Sequence, residues 1–147
     1  MIGEWLFQLK YRNQTQNAKL LADCIIHNFS GLETIDVIVP APFTQERINQ
    51  PVPLIAQALS NSLNIPYHPI LRKSNNHTAL KNIQDKAQKL AILKNSITID
   101  DIDLSSRKIL LLDDLFDSGA TLEVSTEKLF TQHAKHVFTI TLTKTKG

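Results

Sequence analysis

An α/β fold built on a mostly parallel sheet is what this sequence predicts, and three observations carry the prediction. Short apolar runs rich in β-branched residues alternate with stretches whose apolar residues recur at helical spacing. The clearest run, Lys108 to Leu112, is apolar after its first residue, as a strand covered on both faces must be. Backbone punctuation is sparse and local: of four glycines only Gly31 and Gly119 lie in the interior, and all six prolines fall between Pro40 and Pro69. A chain of 147 residues with 42% hydrophobic content is the size of one domain with a single core, so residues 1–147 are expected to form one unit.

The elements follow in order. Trp5 to Arg12, apolar then basic, reads as a helix or a short edge strand, and its aromatic residues as core packing. From Asn17 to Asn28, Ala18, Leu21, Ala22, Ile25 and then Phe29 keep helical spacing, and Gly31 is the stop signal. Ile35 to Val39 is a short buried strand that leaves the sheet at Pro40. Pro51 and Pro53 suit a helix's first turn, where a missing N–H costs little. Ile55, Ala58, Leu59 and Leu63 continue the stripe, and Asn64 suits a left-handed end. Ile65 to Leu71 reads as a second strand, at an edge or irregular because of Pro66 and Pro69. Leu80, Ile83, Ala87, Leu90 and Ala91 make a helix, Ile97 to Ile99 a small strand, Ala120 to Gln132 a helix and His136 to Leu142 a last strand. This alternation implies parallel pairing through right-handed crossovers, with ligands beyond the carboxyl ends of the strands.

Composition narrows the function classes. Sixteen basic and 14 acidic residues leave a net charge of +2, too small for general nucleic-acid coating. One cysteine, Cys24, can form neither an internal disulfide nor a multi-cysteine zinc site, and it reads as a small buried thiol in a reducing cytoplasm. No run approaches the roughly 20 apolar residues of a membrane span. His27, His68, His77, His133 and His136 lack metal-ligand spacing and read as surface or loop residues.

The stretch from Ile109 to Leu122 carries the chemistry. An apolar strand runs into two adjacent carboxylates, Asp113 and Asp114, then into a small polar turn, Asp117, Ser118, Gly119, Ala120 and Thr121, at a helix start. The first N–H groups of a helix lack intrahelical partners and its dipole is positive there, so such a turn can wrap a phosphate. Gly119 admits the anion closely and tolerates positive φ. Ser118 and Thr121 add hydroxyl donors. The paired carboxylates can accept hydrogen bonds from sugar hydroxyls or hold Mg²⁺ through water. A phosphate cup beside a diol clamp describes a ribose 5-phosphate site. A lone Asp-Ser-Gly would be no more than a helix cap, and it is the whole pattern that argues further.

That pattern resembles the phosphoribosyl pyrophosphate (PRPP) motif of type I phosphoribosyltransferases: apolar strand, two acids, three variable residues, Thr or Ser, Gly, any residue, Thr. The resemblance implies that family's fold, a central mostly parallel sheet flanked by helices with a small N-terminal or hood element. More of the chain is similar to the ComF-type branch associated with bacterial competence: Lys10-Tyr11 before a helix, a strand into Pro40-Ala41-Pro42, Asn49-Gln50 opening a helix, and Arg72 after the second strand. Departures are visible too. The branch's four-cysteine zinc ribbon is absent, its basic segment before Asn-Gln shrinks to Phe43 to Ile48, and its Gln, Arg and Asn after Arg72 align with His77, Asp85 and Gln88. Its Gly-Ala before the last strand is His133-Ala134 here.

The resemblance implies a Mg²⁺-dependent transfer from PRPP to a nitrogenous acceptor, releasing pyrophosphate. Asp113, Asp114 and Asp117 become the catalytic candidates, with Asp113 and Asp114 also the Mg²⁺ candidates. Asp117 to Thr121 would take the 5-phosphate. Ala41, Pro42, Phe43, Arg47 and Arg72 would take the pyrophosphate, with Lys73 a further charged candidate, although Lys73 and Lys81 each read individually as solvated. From Arg47 to Gln84 there is no acidic residue, whereas six aspartates lie between Asp100 and Asp117, the segregation such a site requires. Asp117 either caps the helix or, as in purine-salvage members, handles a proton of the acceptor. The alternatives are a non-catalytic PRPP or nucleotide sensor acting with DNA-uptake proteins, and purine salvage. Direct nucleic-acid binding is not expected; a cytoplasmic location is, and a homodimer is compatible with the sequence.

Overall fold

The computed structural model describes residues 2, 16–43, 50–74, 85–116 and 119–144. The expectations for Trp5 to Arg12, Arg47, His77, Lys81, Asp117 and Ser118 lie outside these residues. Along the chain come α1 (Asn17–Asn28), a 3₁₀ turn (Leu32–Thr34), β1 (Val37–Pro40), α2 (Pro51–Leu63) and β2 (Leu71–Lys73). Then follow α3 (Lys86–Ser96), β3 (Ile97–Ile99), β4 (Lys108–Phe116), α4 (Ala120–Thr131) and β5 (His136–Lys144).

β1, β4 and β5 form a parallel sheet in the order β1-β4-β5, and β2 and β3 form a separate antiparallel pair. Strand alternation divides the core between the two faces of the parallel sheet. Ile38, Leu110, Leu112 and Ile140 pack under α1 and α2. Val37, Val39, Ile109 and Leu111 face the other way, among residues of β2, β3, α3 and α4. β4 is thus covered on both faces, as its uninterrupted apolar run requires.

The helix signals are realised with two adjustments. Pro51 opens α2 and Asn64 closes it at φ 56°. α1 ends at Phe29, an extended cap whose ring is 48% exposed, so Phe29 leaves the apolar stripe; Gly31, at φ 83°, opens the 3₁₀ turn instead. Cys24, expected to be buried, is only partly so. In α3 the buried positions are Leu93 and Ser96, and Leu90 packs against the same core as predicted, whereas Ala87 and Ala91 are exposed; Leu80 and Ile83 lie outside the described residues. Asp85 caps this helix by accepting from the Ala87 N–H at 3.1 Å.

The strands differ more. β1 includes Pro40, which pairs with Leu112, rather than releasing the chain there. The Ile38 N–H points away from β4, to the Pro66 carbonyl at 2.9 Å, and by the two-residue period the missing donor of Pro40 lies on that same outer side. The expected strand Ile65 to Leu71 dissolves into one parallel bridge, Tyr67 to Ile38, and regular pairing begins only at Leu71. Two prolines without donors explain the gap. β4 runs on to Phe116, so Asp113 and Asp114 lie within the strand rather than after it.

Candidate functional site

The carboxyl ends of β1 and β4 and the start of α4 meet at one end of the sheet, and most of the described site candidates collect there. Asp113 and Asp114 are consecutive in an extended strand, so their Cβ atoms leave opposite faces, yet their carboxyl side chains meet in a hydrogen bond. Asp113 shares the face of Leu111, and Asp114 that of Leu112. Thr143 of β5 donates to the Asp114 carbonyl at 2.8 Å, tying the neighbouring strand to this point.

Asp113 has an unusual environment. Its carboxylate accepts the Asp114 backbone N–H at 2.8 Å, yet burial, and then the neighbouring Asp114 charge, push its pKa up from 3.8 to about 7. Lys73 pulls the other way: its charge favours ionised Asp113, and burial lowers the Lys73 pKa while Asp113 raises it. The placement follows from two matching alternations. Leu71 and Lys73 share one face of β2, Leu111 and Asp113 share one face of β4, and both leucines are buried in the same cluster. Two residues further along each strand the apolar layer ends and a lysine meets a carboxylate. The expectation of a solvated Lys73 is corrected: it belongs to the site. The signal was the two-residue period of a strand placed correctly only once Ile65 to Ile70 is set aside.

Gly119 is the N-cap of α4 with φ 78° and ψ 0°, a left-handed conformation that glycine adopts without strain. A glycine cap has no side chain to compete for the N–H groups of the first turn. Ala120 is buried beneath it, and Thr121 is half-buried with its carbonyl accepting from the Ser125 hydroxyl at 2.6 Å. The residue at the N-cap position is therefore Gly119.

On the other side, Ala41 continues the ladder past β1, its N–H donating to the Leu112 carbonyl at 2.7 Å. After Pro42, Phe43 makes a parallel bridge with Arg72. Phe43, Pro69, Leu71, Arg72 and Lys73 line a cleft of about 430 Å³. Arg72, expected after the strand, sits in the middle of β2 and is held by Asp100: Nε to Oδ1 and Nη2 to Oδ2, both 3.1 Å. This bond keeps the Asp100 carboxyl below its ordinary pKa and the Arg72 guanidinium above its own. Nothing in the sequence singled out Asp100 as a partner of Arg72.

Among the described residues no three His, Cys, Asp or Glu side chains converge, so Asp113 and Asp114 form no full protein cage there. Two hard-oxygen donors that leave most of the coordination to water and phosphate oxygens do fit the way Mg²⁺ is usually held. Among the described residues no helix is long and apolar enough to cross a membrane.

No family model matches the sequence, and no curated protein matches it. Solved structures do. A purine phosphoribosyltransferase from Pyrococcus horikoshii is similar over 89% of this chain and 73% of its own, with 23% identity and a TM-score of 0.54. An adenine phosphoribosyltransferase from Thermoanaerobacter pseudethanolicus is similar over 90% and 70%, with 17% identity and a TM-score of 0.60. A phosphoribosylpyrophosphate synthetase from Mycobacterium smegmatis is similar over 86% of this chain but 33% of its own, with 19% identity and a TM-score of 0.52. At these identities the likeness establishes the fold: this chain has the α/β architecture of type I phosphoribosyltransferases.

Proposed function

We propose that the chain is a phosphoribosyltransferase that binds PRPP with Mg²⁺ and transfers the phosphoribosyl group to a nitrogenous acceptor. One observation carries this reading. Two acids at the carboxyl end of a buried parallel strand are followed within a few residues by a left-handed glycine that caps a helix, on a fold shared with enzymes of this class. Fold alone does not fix chemistry, but two acids beside a glycine-capped helix start at the expected end of the sheet support it.

In this reading Gly119, Ala120 and Thr121, with Asp117 and Ser118, hold the 5-phosphate, and Asp113 and Asp114 accept hydrogen bonds from ribose hydroxyls. Ala41, Pro42, Phe43, Arg47 and Arg72 hold the diphosphate, and Lys73 joins them from the same cleft. The bond from ribose C1 to the diphosphate oxygen breaks, a bond from C1 to the acceptor nitrogen forms, and the acceptor's proton is lost. Positive charge grows on the sugar meanwhile, so carboxylates fixed beside it are worth most in the transition state. Bound Mg²⁺ would neutralise diphosphate charge, held through water by Asp113 and Asp114. The order of Pro40-Ala41-Pro42, Asn49-Gln50 and Arg72 supports a ComF-like assignment. Purine salvage rests on Asp117 alone and is the weaker reading.

The test is incubation with PRPP, Mg²⁺ and a panel of nitrogenous bases. Pyrophosphate release that depends on one base is expected. Absence of both release and PRPP binding would refute the reading, and binding without turnover would identify a sensor instead. Calorimetric titration of PRPP into Asp113→Ala and Asp114→Ala should show weaker binding than the parent, and unchanged affinity would remove those residues from the site.

A further inference from the structure

We infer that Asp100 is a positioning residue, which holds the Arg72 guanidinium so that its outer edge faces the cleft as a fixed two-point anion donor. The inference rests on the reading of that cleft as the diphosphate site. A guanidinium has five N–H donors in one plane. Asp100 takes the Nε edge, one hydrogen from Nε and one from Nη2. Three N–H groups are left, two on Nη1 and one on Nη2. The remaining Nη2 hydrogen and one on Nη1 form the end-on fork that matches two oxygens of a phosphate or carboxylate. Arg72 lines the cleft with Phe43, Pro69, Leu71 and Lys73, so an anion bound to that fork would sit at this cleft.

Stability alone gives this pair little reason to exist. Its side chains are 54% and 44% exposed, and exposed ion pairs contribute little to folding. The hairpin already has its own ladder, Leu71 to Ile99, Arg72 to Thr98 and Lys73 to Ile97, and the Asp100 N–H adds a bond to the Ile70 carbonyl at 2.9 Å. What the carboxylate adds is orientation. A free arginine must give up rotamer freedom to bind an anion, and one already locked on its inner edge gives up less.

Charge and positioning make opposite predictions, which makes the inference easy to break. Removing a negative charge beside an anion site should tighten anion binding if Asp100 merely competes for Arg72. It should loosen binding if Asp100 aims Arg72. Inorganic pyrophosphate with Mg²⁺ is titrated calorimetrically into the full chain, Asp100→Asn, Arg72→Gln and the double variant, with ribose 5-phosphate as a second ligand. The expected result is about tenfold weaker pyrophosphate binding for Asp100→Asn, the scale of one charge-assisted hydrogen bond. No further loss is expected when it is added to Arg72→Gln, and ribose 5-phosphate affinity should stay unchanged. Equal or tighter pyrophosphate binding by Asp100→Asn overturns the inference while leaving the proposed function standing. So does a parallel loss for ribose 5-phosphate, which would indicate a general structural effect. Failure of the parent chain to bind pyrophosphate overturns both.

Discussion

The two sides of the candidate site are built in opposite ways. The side on β4 and α4 is continuous in sequence: Asp113, Asp114, Gly119 and Thr121 follow one another along a strand and the helix after it. The side on β2 and β3 is assembled from a distance, with Arg72 fixed by Asp100, 28 residues away, and Lys73 brought to Asp113 across the sheet. Continuity makes the first side a readable motif, whereas the second exists only once strand register is known. The first side also holds the more strained charge, a carboxyl pushed up to about 7, and the second supplies the lysine that relieves it.

The largest effect expected from this contrast is a pH dependence of stability. Asp113 titrates near its ordinary value of 3.8 when unfolded and at about 7 when folded. Between those values the folded state binds the extra proton, so stability rises as pH falls from 7 toward 4 and is lost as pH rises again. At about 1.36 kcal/mol per pH unit, the full span is on the order of 4 kcal/mol. Urea unfolding of the parent and Asp113→Asn at several pH values measures it. The difference between the two curves should flatten below about pH 4, and parallel curves throughout would contradict the buried placement. Lys73→Met should widen the span, because Asp113 then loses its cation.

Next in size is Gly119→Ala. A Cβ at φ 78° is strained, and on the proposed function it would also stand at the phosphate cup. Losing one or two charge-assisted hydrogen bonds should weaken ribose 5-phosphate binding about a hundredfold by calorimetry. Lys73→Met should weaken pyrophosphate binding about tenfold while leaving ribose 5-phosphate within about threefold. If Lys73→Met weakened both equally, the division of the site into two sides would fail.

How far the sequence reached follows the same division. Helix starts and stops were readable because Pro51, Asn64 and Gly119 act through local backbone geometry, and each does here what its chemistry suggests. The β4 motif was readable for the same reason, although its strand runs further than expected: pairing with β5 continues through Asp113 and Thr141. Around Pro66 and Pro69 the apolar character of Ile65 to Leu71 suggested a strand, while the missing donors prevented one. Regular pairing begins only at Leu71, so the hold of Asp100 on Arg72 went unseen and Lys73, though a charged candidate, read as solvated. Side-chain pairs across the sheet depend on register, which no local pattern near Arg72 specified.

The smallest effect, Gly31→Ala, decides how the Gly119 result is to be understood. The two glycines have nearly the same backbone, φ 83° and ψ 4° at Gly31 against φ 78° and ψ 0° at Gly119. Alanine therefore meets the same intrinsic strain at both, about 1 kcal/mol. A Cβ at Gly31 would meet nothing within 4 Å, so its cost is backbone strain and nothing else. Thermal unfolding of Gly31→Ala should thus show a modest loss, with ribose 5-phosphate affinity unchanged. With strain alike in the two variants, the difference between their ribose 5-phosphate affinities isolates what the second methyl does to the anion. If the two variants lost stability alike and both kept full ribose 5-phosphate affinity, Gly119 would be an ordinary turn glycine, and the continuous side of the site would have no phosphate cup.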